Sequence, residues 1–140
     1  MQLTIDEVSD PAACFALRQA VFVKEQEFRV AEEFDDLDAT ARHLLACDGT
    51  TPVATARLMI EGNTGRIGRI CVVKPYRGQG VGAVLVRDAL DRLRATPGVH
   101  RAVLGAQVRA AGFYTALGFS VCGPLYDDGG VPHHDMEIAL

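Results

Sequence analysis

Ile67-Gly68-Arg69-Ile70-Cys71-Val72-Val73 is an apolar run that leads into Arg77-Gly78-Gln79-Gly80-Val81-Gly82. Val81 in turn opens an amphipathic stretch reaching Leu93. A strand, a glycine turn and a helix in that order leave unpaired backbone N–H groups at the positive end of a helix dipole. Glycine here removes the side chains that would hold a phosphate away from those donors. The stretch therefore predicts a seat for a phosphorylated ligand, with the rest of the chain arranged before and after it.

Downstream, the helix places Val81, Val84, Leu85, Ala89 and Leu93 on one side and Arg87, Asp88, Asp91 and Arg94 on the other. Pro97-Gly98 ends it, and Arg101 to Gln107 reads as a second apolar strand. The unit is strand–helix–strand, which requires parallel strands and a right-handed crossover. A short helix follows with Ala110, Phe113 and Leu117 at core spacing and Gly118 as its cap. Phe119 to Leu125 and His133 to Leu140 complete the sheet. Upstream, Leu3 to Val8 alternates as a strand, and Asp10-Pro11 starts a helix running to about Lys24. An acidic, irregular stretch with one helical turn near Leu37 precedes the strands His43–Cys47 and Pro52–Ile60, joined at Asp48-Gly49. Glu61-Gly62-Asn63 turns the chain into the strand that meets the glycines. The class is mixed α/β, in one domain spanning 1–140.

Composition narrows the function. With 140 residues and 49% hydrophobic content, the chain can bury one real core. No apolar run is long enough to span a bilayer, and the N-terminus lacks a signal-peptide pattern. Cys14, Cys47, Cys71 and Cys122 are far apart with no C-x-x-C pair, so they read as reduced core residues of a cytoplasmic protein, with no metal site. The net charge of −4 and the lack of tryptophan give no sign of general nucleic-acid binding. That net charge hides an asymmetry. Residues 1–61 carry twelve acids and five Lys/Arg, whereas 62–126 carry only Asp88 and Asp91 against nine Lys/Arg. The basic segment is the one with the glycine turn, as an anionic ligand favours; chance scatter of solvated charge is the plainer alternative.

Two phosphate motifs compete for the turn and both fail. No lysine followed by Ser/Thr closes a P-loop. A dinucleotide fingerprint at Gly78, Gly80 and Ala83 needs an acid at the tip of the next strand, and that strand ends in Ala106-Gln107.

What survives is R-x-x-G-x-G at Arg77, Gly80 and Gly82, with Ala111-Gly112-Phe113-Tyr114-Thr115-Ala116-Leu117-Gly118-Phe119 downstream. These two blocks resemble the hallmarks of the GNAT-type N-acetyltransferases, [QR]-x-x-G-x-[GA] and FY-x-x-x-GF. Arg18, Val21-Phe22-Val23-Lys24-Glu25-Gln26, Asp35-Asp36-Leu37-Asp38, His43 and Gly130-Val131-Pro132-His133-His134-Asp135-Met136 are similar to the small single-domain bacterial ElaA/YjcF-like group within that family. The resemblance spans nearly the whole chain. It implies a central twisted mixed sheet of six or seven strands flanked by about four helices, and acetyl-CoA as co-substrate.

By that resemblance, Arg77 and the backbone of Gly78, Gln79, Gly80, Val81, Gly82 and Ala83 hold the pyrophosphate. The pantetheine arm lies along Ile70-Cys71-Val72, between Gln107 and Phe113, and the Val72 N–H faces the thioester carbonyl. Tyr114 is the general acid for the leaving thiolate, turned away from a core stripe that includes Phe113. Arg77 as a plain surface arginine and Tyr114 as a core tyrosine with a satisfied hydroxyl are the alternatives. For the base that deprotonates an amine, Glu25, Asp36, His133 and His134 all remain open. The acidic 25–38 segment either attracts a cationic amine or is a solvated loop. Cys71, within an apolar strand, reads as a lining thiol rather than a nucleophile. The expected activity is acetyl transfer from acetyl-CoA to a primary amine of a small molecule or peptide, directly in a ternary complex. Similar proteins are commonly dimers. A non-catalytic acyl-CoA sensor and a protein-interaction module on the same fold are the other readings.

Overall fold

The computed structural model describes residues 1–140, with the side chains of Ala31 and Glu32 excepted. In chain order, β1 (Leu3–Val8) leads to α1 (Ala12–Arg18), which continues as a π-helical segment, Gln19–Glu25. Next come α2 (Val30–Glu33), a 3₁₀ turn at Asp36–Ala39, β2 (Arg42–Asp48), β3 (Thr51–Glu61) and β4 (Thr64–Val72). After the 3₁₀ turn Lys74–Tyr76 follow α3 (Val81–Arg94), β5 (Arg101–Gln107), α4 (Ala111–Ala116), β6 (Ser120–Val121), β7 (Tyr126–Asp128) and β8 (Val131–Ala139).

All eight strands form one sheet ordered β1-β2-β3-β4-β5-β8-β6, with β7 also on β8. Only the β4–β5 pair is parallel, as the intervening helix demands. The expected strand from Phe119 to Leu125 is reduced to a two-residue piece, β6, and just beyond it a further short arm, β7, turns at Gly129-Gly130 onto β8. That additional arm accounts for eight strands where six or seven were expected.

On one face of the sheet, α3 buries Val81, Leu85, Val86, Ala89, Leu90 and Leu93. Val84, assigned to that face from its spacing, is 44% exposed, and Val86 and Leu90 take its place. Leu93 packs onto bare backbone: a Cβ on Gly65 would lie 2.5 Å from its Cδ2. On the other face, α1 and the π-helical segment bury Cys14, Leu17, Val21 and Phe22. Cys71 is buried as expected, but Cys47 is only half-buried and Cys122 is exposed, so the thiols are not all core residues. All four are free.

A buried arginine locks α1 to the acidic segment. Arg18, 1% exposed, donates Nε to Glu33 Oε1 at 2.8 Å and Nη1 to Asp38 Oδ1 at 2.8 Å. Arg57 Nη1 reaches Asp35 Oδ1 at 2.8 Å and Asp38 Oδ1 at 3.1 Å, and Arg69 Nη2 reaches Asp35 Oδ2 at 3.2 Å. Glu33, Asp35 and Asp38 are therefore spent on three arginines of the fold, so this part of the acidic segment is not a freely solvated loop, whereas Asp36 is exposed.

One irregularity of the sheet creates the site. Between the pairs Thr55↔Cys71 and Arg57↔Gly68, β4 carries one residue more than β3, a bulge at Arg69-Ile70 opposite Ala56. Arg69 there has φ 50°. A bulge bends its strand and increases the twist. Pairing of β4 with β5 accordingly stops at Ile67↔Leu104, although both strands run on, to Val72 and Gln107. Past that point the two strands separate.

Candidate active site

The gap between β4 and β5 opens into a cavity of about 1180 Å³. At its mouth, Gly78 and Gly80 have φ of +76° and +82°, a conformation that side-chain-bearing residues rarely adopt. Gly80 caps α3 without any side-chain hydrogen bond, and its carbonyl accepts only from Val84 N–H at 3.1 Å. The N–H groups of Val81, Gly82 and Ala83 thus have no partner within the helix and face an open mouth. A Cβ on Gly78 or Gly80 would meet nothing within 4 Å, so the space above the turn is free for a ligand. Gln79 turns its side chain away and donates to Pro75 O at 3.0 Å, leaving only its backbone in the turn.

Along the cavity, Ile70, Cys71 and Val72 form one wall. The ladder fixes where the Val72 amide points. Val73 N–H bonds Val53 O at 3.0 Å, and Ala54 sits opposite Val72. Backbone groups alternate sides along an antiparallel ladder, so those of Val72 face away from β3 and toward the gap. Arg77 Nε takes the Val72 carbonyl at 2.9 Å, and the Val72 N–H points the same way. Cys71 is 5% exposed, and burial pushes its thiol up to about 12, which leaves it inert as a nucleophile.

The roles of Phe113 and Tyr114 are exchanged relative to the spacing argument. Phe113 is 41% exposed and Tyr114 only 9%. Phe113 projects over the start of α3, where a Cβ on Gly82 would lie 3.4 Å from its Cζ. Tyr114 turns inward, edge-on to Phe113 at 5.0 Å and to Phe119 at 5.9 Å. Six helical residues are too few for 3.6-residue spacing to fix the inward face. Tyr114 forms no hydrogen bond among the described residues, yet Arg57 Nε is the only sealed and unpartnered side-chain polar atom among them, so the phenol oxygen reaches the cavity. Burial raises its pKa from 10 to about 12, which keeps it a proton donor.

Of the candidate bases, His133 and Glu25 line the cavity; Asp36 and His134 do not. His133 is 7% exposed, stacks on Tyr126 at 5.8 Å and donates Nδ1–H to Val131 O at 2.8 Å. A carbonyl can only accept, so the proton sits on Nδ1 and Nε2 is left as the acceptor in the neutral ring. Asp128 Oδ2 stands 4.0 Å from Nε2. Glu25 is instead held by Arg77, whose hydrogen bonds lower its pKa. His134 makes a long contact, 3.4 Å, to Gly123 O.

Gln107 bridges the cavity to the π-helical segment, donating to Gln26 Oε1 at 3.0 Å and accepting from Arg109 Nε at 2.7 Å. Gln26, Arg57, Arg66 and Tyr126 also line the cavity and escaped the motif reading. Strand alternation carried a signal for Arg66. With Gly65 and Ile67 facing α3, Arg66 and Gly68 must face the other way. No group of three or more candidate metal ligands exists among the described residues, and no helix among them is long and apolar enough to cross a membrane.

Comparison with known proteins agrees with this geometry. The Bacillus subtilis protein called uncharacterized N-acetyltransferase YjcF is 37% identical over 123 residues, 87% of this chain and 87% of its own. Escherichia coli ElaA is 33% identical over 133 residues, 92% of this chain and 87% of that protein. The ElaA crystal structure matches with a TM-score of 0.84, covering 97% of each chain at 30% identity. An acyl-CoA N-acyltransferase from Pseudomonas aeruginosa matches at 0.85, with 28% identity over 97% of each chain. Residues 6–140 match the acetyltransferase (GNAT) domain, so the parted strands, the bare glycine turn and the buried tyrosine are those of a chain that belongs to the GNAT acetyltransferase family.

Proposed function

We propose that this chain moves an acetyl group from acetyl-CoA to a primary amine by direct attack, with both substrates in the gap between β4 and β5. The observation that carries the reading is the Val72 amide, an unpaired strand edge facing a cavity that also holds Tyr114 and the glycine turn.

The residues fit the co-substrate. The N–H groups of Val81, Gly82 and Ala83, at the positive end of α3, suit a diphosphate, and no side chain stands over Gly78 or Gly80. The exposed edge of Ile70–Val72 can pair with the amides of a pantetheine arm as a sheet pairs with an added strand, and Phe113 covers that arm. Acetyl-CoA supplies the activated acyl group; every other part of the chemistry falls to this chain. Val72 N–H stabilises the oxyanion that forms when the amine adds to the carbonyl. His133 Nε2 accepts the proton that the amine gives up, and Tyr114 donates its own to the departing thiolate.

Thiol release measured with acetyl-CoA and a panel of primary amines tests the reading. Amine-dependent release supports it. Saturable coenzyme A binding without release would leave a sensor, and no coenzyme A binding would leave an interaction module.

A further inference from the structure

Around Ile67 the cavity floor is the sheet face opposite α3, and two arginines stand on it. Arg57 on β3 lies directly across from Gly68 on β4, and Met59 from Arg66. Residues opposite one another share a face, so Arg57 and Arg66 are diagonal neighbours on the cavity side. Gly68 sits between them, and a Cβ on it would meet nothing within 4 Å. The result is a hollow with an arginine on each side.

Neither guanidinium is exhausted. Arg57 is 4% exposed and uses only Nη1, on Asp35 and Asp38; its Nε is buried without a partner, and Nη2 makes no hydrogen bond among the described residues. Arg66 forms no ion pair among the described residues, whereas Arg18, Arg57 and Arg69 are matched by Glu33, Asp35 and Asp38. Arg66 is therefore the arginine of this floor that no carboxylate holds in an ion pair. The nearby acids form no ion pair with it: Asp135 lies against Tyr126 Oη at 3.0 Å, Glu137 pairs with Arg101 at 2.9 Å, and Asp128 is an exposed neighbour of His133.

We infer that the acetyl acceptor is an amine that also carries a compact oxyanion, a carboxylate or phosphate, seated over Gly68 between Arg57 and Arg66. This rests on the acetyl-transfer reading above and names its acceptor class. Guanidinium groups bind such oxyanions through charge-assisted, often paired, hydrogen bonds, and a desolvated site strengthens them. A bare alkylammonium over Gly68 would be repelled by both guanidinium groups.

Calorimetry on the protein loaded with coenzyme A tests this with product mimics, so turnover is not required. The titrants are N-acetylglycine against N-acetylglycinamide, and O-phospho-N-acetylethanolamine against N-acetylethanolamine. At least one anionic member is expected to bind tenfold or more tightly than its neutral partner, and the two pairs separate carboxylate from phosphate. Arg66→Gln should erase that preference and leave coenzyme A affinity unchanged, and Arg66→Lys should keep part of it. Equal binding within both pairs, no binding by any of the four, or an equal loss for charged and neutral ligands in Arg66→Gln overturns the inference. The coenzyme A titration, performed first, reports on the underlying reading: its failure removes both, whereas its success with no anion preference removes only the acceptor class.

Discussion

Arg77 and Glu25 form a two-pronged pair: Nη2 lies 2.6 Å from Oε2 and Nη1 3.1 Å from Oε1, while Nε bonds the Val72 carbonyl. The pair ties the end of the π-helical segment to the glycine turn. It also occupies, with a carboxylate, the guanidinium that an incoming phosphate would use.

An exposed pair of this kind is worth about 0–1 kcal/mol. Glu25→Gln should therefore leave the melting temperature nearly unchanged and tighten acetyl-CoA binding, by up to about fivefold, since 1 kcal/mol corresponds to that factor. Turnover should stay within about twofold, because a carboxylate with a lowered pKa is a poor base. A tenfold fall in turnover would make Glu25 the base and displace His133.

Tyr114→Phe removes a hydroxyl with no hydrogen-bond partner among the described residues, so the fold should keep its stability. Loss of a general acid typically costs about 10²-fold in turnover or more, while acetyl-CoA affinity should change less than twofold. With the phenol pushed up to about 12, no tyrosine ionisation should appear in the rate profile up to about pH 11. Wild-type turnover in the phenylalanine variant would exclude Tyr114 from the chemistry.

At Gly80, φ of +82° is the constraint, since the surrounding space is open. Gly80→Val should cost about 1–2 kcal/mol in stability and abolish acetyl-CoA binding. Gly80→Asn tolerates the left-handed conformation better, so its melting point should move less. Its acetyl-CoA affinity should nevertheless drop at least about tenfold, as a side chain now stands over the phosphate seat. Retained affinity in the folded Asn variant would disprove a backbone cradle there.

The ion network sets the acid limit of the fold. Burial pushes Asp38 up, but hydrogen bonds and charge from Arg18 and Arg57 outweigh it and bring its pKa from 3.8 down to about 2. A carboxylate with a lowered folded-state pKa adds stability above pH 3.8 and loses it as the pH falls toward 2. Urea unfolding should show a loss of about 1–2 kcal/mol across that window, after allowance for screening. Glu33 runs the other way, raised chiefly by burial despite its own arginines, so it does not add to the loss. Arg18→Met, which takes from Glu33 and Asp38 their buried partner and leaves them only Arg69 and Arg57, should cost up to about 3–5 kcal/mol. A flat pH profile together with a stable Arg18→Met variant would show that the network is dispensable.

Much of this was legible in the chain. Strand alternation and turn glycines located β1 to β5, and the order strand–glycine–helix located the bare turn that opens α3. What failed depended on contacts between distant segments. The spacing of Ala110, Phe113 and Leu117 pointed Phe113 inward, but α4 is only six residues long and Phe119 receives Tyr114 instead. Glu33, Asp35 and Asp38 looked available because their partners, Arg18, Arg57 and Arg69, come from three other elements. Glu25 seemed free to act as a base because Arg77, 52 residues later, was needed to show otherwise. No local pattern announces the extra residue in β4, since it exists only by comparison with β3.

That extra residue makes sheet continuity and ligand access mutually exclusive. Were Arg69 or Ile70 deleted, β4 could zip onto β5 along its full length, bringing the Val72 amide into the ladder. Such a shortened protein would be a better-knit sheet with nowhere to put a substrate.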